Sequence, residues 1–124
     1  MRSVQSLEDL KLPEKHSVFL DTFLKNVSRL PARWKIERLI LFGSCARGDA
    51  TEESDIDIAA IGEEIDDETL WALYDCTPEY VKGQYVGNDI IAMTNEVFDE
   101  HIASFGKVQK YIAKEGIDLS GLLR

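Results

Sequence analysis

Long hydrophobic runs are missing from this chain of 124 residues. The longest apolar stretches are Leu39–Phe42 and Ile56–Ile61, and Asp57 breaks the second. Neither approaches the roughly 20 apolar residues that a membrane-spanning helix needs, so no membrane span is expected. The opening Met1-Arg2-Ser3-Val4-Gln5 lacks the apolar centre of a secretory signal, which points to the cytoplasm. Cysteine is scarce too. Cys45 and Cys76 are too few for a disulfide framework and form no Cys-x-x-Cys pair, so both are read as free thiols. Positive charge is also in short supply: 14 Lys and Arg stand against 23 Asp and Glu, a net charge of -9. That argues against duplex nucleic acid as a ligand, because neutralising phosphates takes a basic patch. An acidic chain suits a basic partner or a site that concentrates divalent cations. With no repeat and no low-complexity linker, residues 1–124 are expected to form one domain around one core.

Periodicity supplies the elements. Residues 14–30 read as an amphipathic helix carrying Val18, Phe19, Phe23, Val27 and Leu30, with Pro31 at its end. Ile36–Phe42 reads as a central strand stopped by Gly43-Ser44, where Ser44 is placed to cap a helical turn through Arg47. A polar loop, Gly48–Glu53, leads to a second strand, Asp55–Ile61. A short helix over Asp67–Asp75 and a third strand over Tyr85–Thr94 follow. A long helix then runs from Thr94-Asn95-Glu96 to about Ala113, with Val97, Ile102, Phe105, Val108 and Ile112 at helical spacing, and Gly116 closes it. The expected class is α+β: a small mixed β-sheet flanked by helices, with the motif core at 36–94.

The chemistry concentrates in Gly43–Ile58. Alternation along a strand turns Asp55 and Asp57 to one side and Ile56 and Ile58 to the other. Two neighbouring carboxylates repel each other and raise one another's pKa unless a cation intervenes. A hard divalent ion with oxygen ligands resolves that conflict, and magnesium also recruits substrate phosphates. An Asp-x-Asp pair alone is commonplace, and its bland reading is a solvent-facing strand edge. The preceding turn changes the balance. Gly43 lets a phosphate approach the backbone without meeting a Cβ, the amides and hydroxyl around Ser44 offer donors, and Arg47 can reach the same phosphates. A phosphate cradle ending one strand and an acid pair on the next together describe a nucleoside triphosphate site.

Gly43-Ser44-x-Ala46-Arg47-Gly48 followed by Ser54-Asp55-x-Asp57 resembles the signature of the minimal nucleotidyltransferase (MNT) family of the DNA polymerase β-like superfamily, over about residues 14–116. The resemblance implies a polymerase β-like nucleotidyltransferase fold. It implies that Gly43, Ser44 and Arg47 contact the triphosphate, that Asp55 and Asp57 bind Mg2+, and that a third carboxylate lies on the next strand. Asp89 takes that position ahead of Glu96 and Asp99, although Asn88 stands before it where the family carries an apolar residue. The implied activity moves a nucleoside monophosphate, AMP from ATP, to a hydroxyl and releases pyrophosphate. Larger relatives add a helical domain that builds the acceptor pocket, whereas few residues follow the last helix here. The resemblance therefore points to a partner protein as acceptor, a HEPN-type toxin neutralised by an MNT-type antitoxin. Two alternatives are a homodimer that modifies a small hydroxylated molecule such as an aminoglycoside, and a non-catalytic nucleotide- or partner-binding module.

Other features carry less. Arg47-Gly48-Asp49 spells an integrin-type tripeptide with no meaning in a cytoplasmic chain. His16 and His101 read as surface or capping residues, Cys45 as a variable turn residue, and Trp34 and Trp71 as core or partner-facing aromatics.

Overall fold

The fold is taken from a computed structural model that describes residues 1–124. The first predicted helix, α1, spans Glu14–Ser28 and buries Phe19, Leu20, Phe23, Leu24 and Val27 on one stripe. Pro31 then opens a 3-10 turn, Pro31–Lys35, that carries the chain into the sheet. The strands read from the sequence form as β2 (Arg38–Phe42), β3 (Ile56–Ile61) and β4 (Asn88–Met93), each shorter than expected. A four-residue helix, α2 (Ser44–Arg47), fills the turn after β2, and α3 spans Asp67–Asp75 as expected.

Two departures follow from tertiary contacts. The expected long helix is two: α4 (Asn95–His101) and α5 (Val108–Glu115). Between them Gly106 takes φ +79°, a left-handed conformation that a continuous helix does not allow. Phe105 is 91% exposed, and Val97, Ile102 and Val108 also face solvent, so the apolar spacing there does not mark a core face. Of the expected set only Ile112 is buried, and Phe98 and Gln109 are buried with it. The second departure is a pair of two-residue strands, β1 (Arg2–Ser3) and β5 (Ile117–Asp118), too short to carry a period.

The sheet runs β1-β5-β2-β3-β4. β2 lies antiparallel to β5 and β3, while β1 with β5 and β3 with β4 pair in parallel. Both faces are covered. Leu39, Leu41, Ile56, Ile58, Ala60 and Ile90 pack with the α1 residues in the larger core. Ile40, Phe42, Ala59 and Ile61 pack with Phe98 of α4 and Ile112 of α5 in the smaller one. By strand alternation Asp57 and Asp89 share this second face.

Candidate functional site

β2 ends where its buried run meets Gly43, which has φ +75° and ψ -158°. That backbone region is essentially reserved for glycine, and a Cβ here would also strike the Asp57 carboxylate. The absence of a side chain thus lets the main chain at Gly43 pass directly against the Asp57 carboxylate. Gly43, not Ser44, occupies the cap position of α2; Ser44 is its first helical residue and makes no capping bond, which corrects the capping role expected for it. Gly48 closes the turn in a left-handed conformation at φ +87°.

Two of the three predicted acids, Asp57 and Asp89, stand side by side on neighbouring strands. Phe42 of β2 and Asp89 of β4 are the register partners of Asp57 on either side. Asp55 precedes β3, and its carboxylate lies against Gly87, where a Cβ would collide with it. Burial pushes the Asp57 carboxyl from 3.8 up to about 6, and the negative charges of Asp89 and Asp55 push in the same direction. Asp57 is half-buried, whereas Asp55 and Asp89 are exposed. No three His, Cys, Asp or Glu side chains are drawn together closely enough to hold a metal ion unaided. Oxygen donors suited to a hard cation are nevertheless adjacent in Asp57 and Asp89, and magnesium is usually held by one or two carboxylates plus substrate phosphates rather than by an all-protein cage.

The loop into Asp55 is pinned from behind. His16 is fully buried, and its Nε2 lies 2.7 Å from the Ser54 carbonyl oxygen, so it is a loop anchor and not the surface or capping residue its sequence context suggests. The Cys45 thiol donates to the Asp55 carbonyl oxygen at 3.5 Å, and burial pushes it up to about 11, which keeps it a protonated donor rather than a nucleophile. Ile56 N–H donates to the Gly87 carbonyl oxygen at 2.8 Å, tying β3 to the chain just ahead of Asp89.

Two residues at the site escape a reading of the sequence. The Tyr74 hydroxyl, from α3, donates to the Ile90 carbonyl oxygen and accepts from Ile90 N–H, both at 3.0 Å, and sits 3.5 Å from Asp89 Oδ1. Its one signal was an inward position on a short amphipathic helix. Glu115, at the end of α5, accepts from Gly43 N–H at 3.0 Å and pairs with Arg47 Nη1 at 3.2 Å. Nothing local in the sequence marks it. Arg47 also reaches Asp49 through Nε at 3.4 Å, and these partners, Glu115 foremost, raise its pKa further. Trp34 and Trp71 are 67% and 66% exposed, which overturns the core alternative for both.

A groove of about 740 Å³ lies elsewhere, lined by residues of the N-terminal segment, α1 and the C-terminus, including Ser6, Asp21 and Arg124. None of the acids, and no residue of the Gly43 turn, lines it. Volume alone does not outweigh converging titratable groups, and the chemistry sits at the sheet end instead.

Two Methanocaldococcus jannaschii proteins, each named "Putative protein adenylyltransferase", are similar in sequence. One is 42% identical over 77 residues, covering 62% of this chain and 73% of that protein. The other is 46% identical over 43 residues, covering 35% of this chain and 42% of that protein, so the match spans less than half of the relative. A solved structure of a "putative nucleotidyltransferase" from Sulfolobus solfataricus superposes with a TM-score of 0.49 at 18% identity, over 85% of this chain and 82% of that one. Residues 20–121 match the profile of the nucleotidyltransferase domain, a span that takes in the Gly43 turn and all three acids, and the chain therefore belongs to the nucleotidyltransferase domain family.

Proposed function

We propose that this nucleotidyltransferase uses Mg2+ and ATP to transfer AMP to a hydroxyl on a partner protein. The observation that carries the reading is the Gly43 main-chain turn set against Asp57, whose register partner is Asp89. In this reading Gly43 N–H, the Ser44 hydroxyl and Arg47 hold the polyphosphate, while Asp55, Asp57 and Asp89 hold the metal. The donor set fits magnesium, since hard oxygen ligands and mutual repulsion at Asp57 both favour a divalent cation. When bound, magnesium neutralises charge on the attacking and leaving oxygens. In this reading Asp89, exposed on the outermost strand, accepts the proton of the acceptor hydroxyl. The acceptor oxygen forms a bond to the α-phosphorus as the α–β phosphoanhydride bond breaks, and pyrophosphate leaves. Little covalent work falls to the protein; positioning and charge neutralisation dominate.

A protein acceptor is supported by the names of the M. jannaschii relatives. It is also supported by the exposed aromatics Trp71, Tyr80 and Tyr85, on α3 and the segment leading to β4, a residue class enriched at binding hot spots. The net charge of -9 suits a basic partner, and we take that partner to be a small helical HEPN-type toxin. The test is transfer of label from ATP carrying radioactive α-phosphate, with Mg2+, to a co-expressed partner. Label should appear on the partner, and Asp55→Ala or Asp57→Ala should abolish it. Undiminished transfer by these variants, or no labelled protein at all, refutes the reading.

A further inference from the structure

The Gly43 amide and the Arg47 guanidinium, the donors assigned above to polyphosphate, already have an anionic partner. Glu115 Oε1 accepts from Gly43 N–H at 3.0 Å, and both Glu115 oxygens lie within 3.3 Å of Arg47 Nη1. A carboxylate is the side chain closest to phosphate in charge and in its pair of acceptor oxygens. We propose that Glu115 is a built-in competitor for the triphosphate, occupying the same donors and yielding them when nucleotide binds. This rests on the reading that the Gly43 turn and Arg47 take the polyphosphate.

The contact is built into the backbone. Gly116 follows Glu115, and a Cβ there would strike both the Ile112 carbonyl oxygen and the Ile40 side chain, so the end of α5 is pressed onto β2. Gly116 N–H closes the helix on the Ile112 carbonyl oxygen at 2.8 Å, and Ile117 then pairs with Leu41 in the sheet. The main chain at 115 is thus fixed beside the end of β2, and only the side chain is free to swing. Arg47 is 48% exposed against 18% for Glu115, so the guanidinium can be reached from solvent while the carboxylate lies beneath it.

Electrostatics favour exchange rather than a permanent brace. Glu115 adds a further negative charge to the group already crowding Asp57. It is tolerated there because Gly43 and Arg47 hold it, and a ligand carrying more negative charge together with a divalent cation satisfies those donors better. An ion pair with one partner half-exposed opposes such exchange only weakly, by about five-fold in affinity at most.

The experiment is calorimetric titration of magnesium tripolyphosphate, and separately of MgATP, into the wild-type chain and into Glu115→Gln, Glu115→Ala and Arg47→Ala. Both Glu115 variants should bind tripolyphosphate more tightly, by about five-fold, and Arg47→Ala more weakly. Glu115→Gln keeps an acceptor oxygen for Gly43 N–H, so it decides the matter should Glu115→Ala fail to fold. Equal or weaker binding by Glu115→Gln, with wild-type melting behaviour and a normal Arg47→Ala loss, overturns the competitor role and leaves the cradle intact. No binding by the wild type, or no effect of Arg47→Ala, overturns the cradle itself and the competitor with it.

Discussion

Replacing Asp57 with asparagine should make the protein more stable at neutral pH while removing its activity. The Asp57 carboxyl ionises at about 6 in the folded chain against an ordinary value of 3.8, because burial and the charges of Asp89 and Asp55 disfavour its anion. Between those two values the native state binds more protons than the unfolded chain, so stability falls as pH rises through the window and the loss is complete above it. Taken at face value, the gap amounts to about 3 kcal/mol. Asp57 is only half-buried, and solvent screening reduces this to about 1 kcal/mol. Asparagine keeps the shape and carries no charge. For a domain of this length that gain raises the melting temperature by about 4 °C. The assay is thermal unfolding with a chelator present, run at about pH 7.5 and about pH 3; the variant should lead at the first and match the wild type at the second. A variant no more stable than wild type at neutral pH, or a lead that persists in acid, refutes the account of Asp57 as an electrostatically strained group.

The turn and the edge strand yield two further tests. Gly43→Ala places a Cβ against the Asp57 carboxylate at a backbone conformation reserved for glycine, and should cost about 2–4 kcal/mol in a denaturant melt while abolishing transfer; near-wild-type stability would show that the turn relaxes freely. Tyr74→Phe leaves the Ile90 N–H and C=O without their shared hydroxyl, and should cost about 1–2 kcal/mol and lower kcat more than it raises KM, because Asp89 is the next residue; unchanged stability and kinetics would refute that support.

The turn and the two strands beside it were legible because their meaning is local. Gly43, Ser44, Arg47, Asp55 and Asp57 lie within fifteen residues, although Asp55 stands one residue ahead of β3 with its carboxylate against Gly87. Asp89 was named because the family resemblance calls for an acid on the next strand; its register with Asp57 is a fact of the folded sheet. What escaped depends on distance along the chain. The apolar spacing across Val97, Ile102 and Phe105 continues past a point where Gly106 turns the backbone, and periodicity carries no information about a bend. β1 and β5 have two residues each and exist only because the sheet supplies a partner. His16 looked like a surface residue because its partner, the Ser54 carbonyl oxygen, lies 38 positions away. Glu115 meets Gly43 across 72 positions, and no pattern within one helix announces such a meeting.

The outermost strand sets a rule of approach for any acceptor. Strands at the margin of a sheet commonly recruit a foreign strand through their unpaired backbone groups. On β4 this route is blocked at its middle, because the Tyr74 hydroxyl already satisfies both Ile90 N–H and Ile90 C=O. An extended peptide cannot zip past Ile90 in the plane of the sheet to reach Asp89. On the proposed function, the hydroxyl to be modified descends on the acids as a projecting side chain, carried by a helix or loop that never joins the ladder.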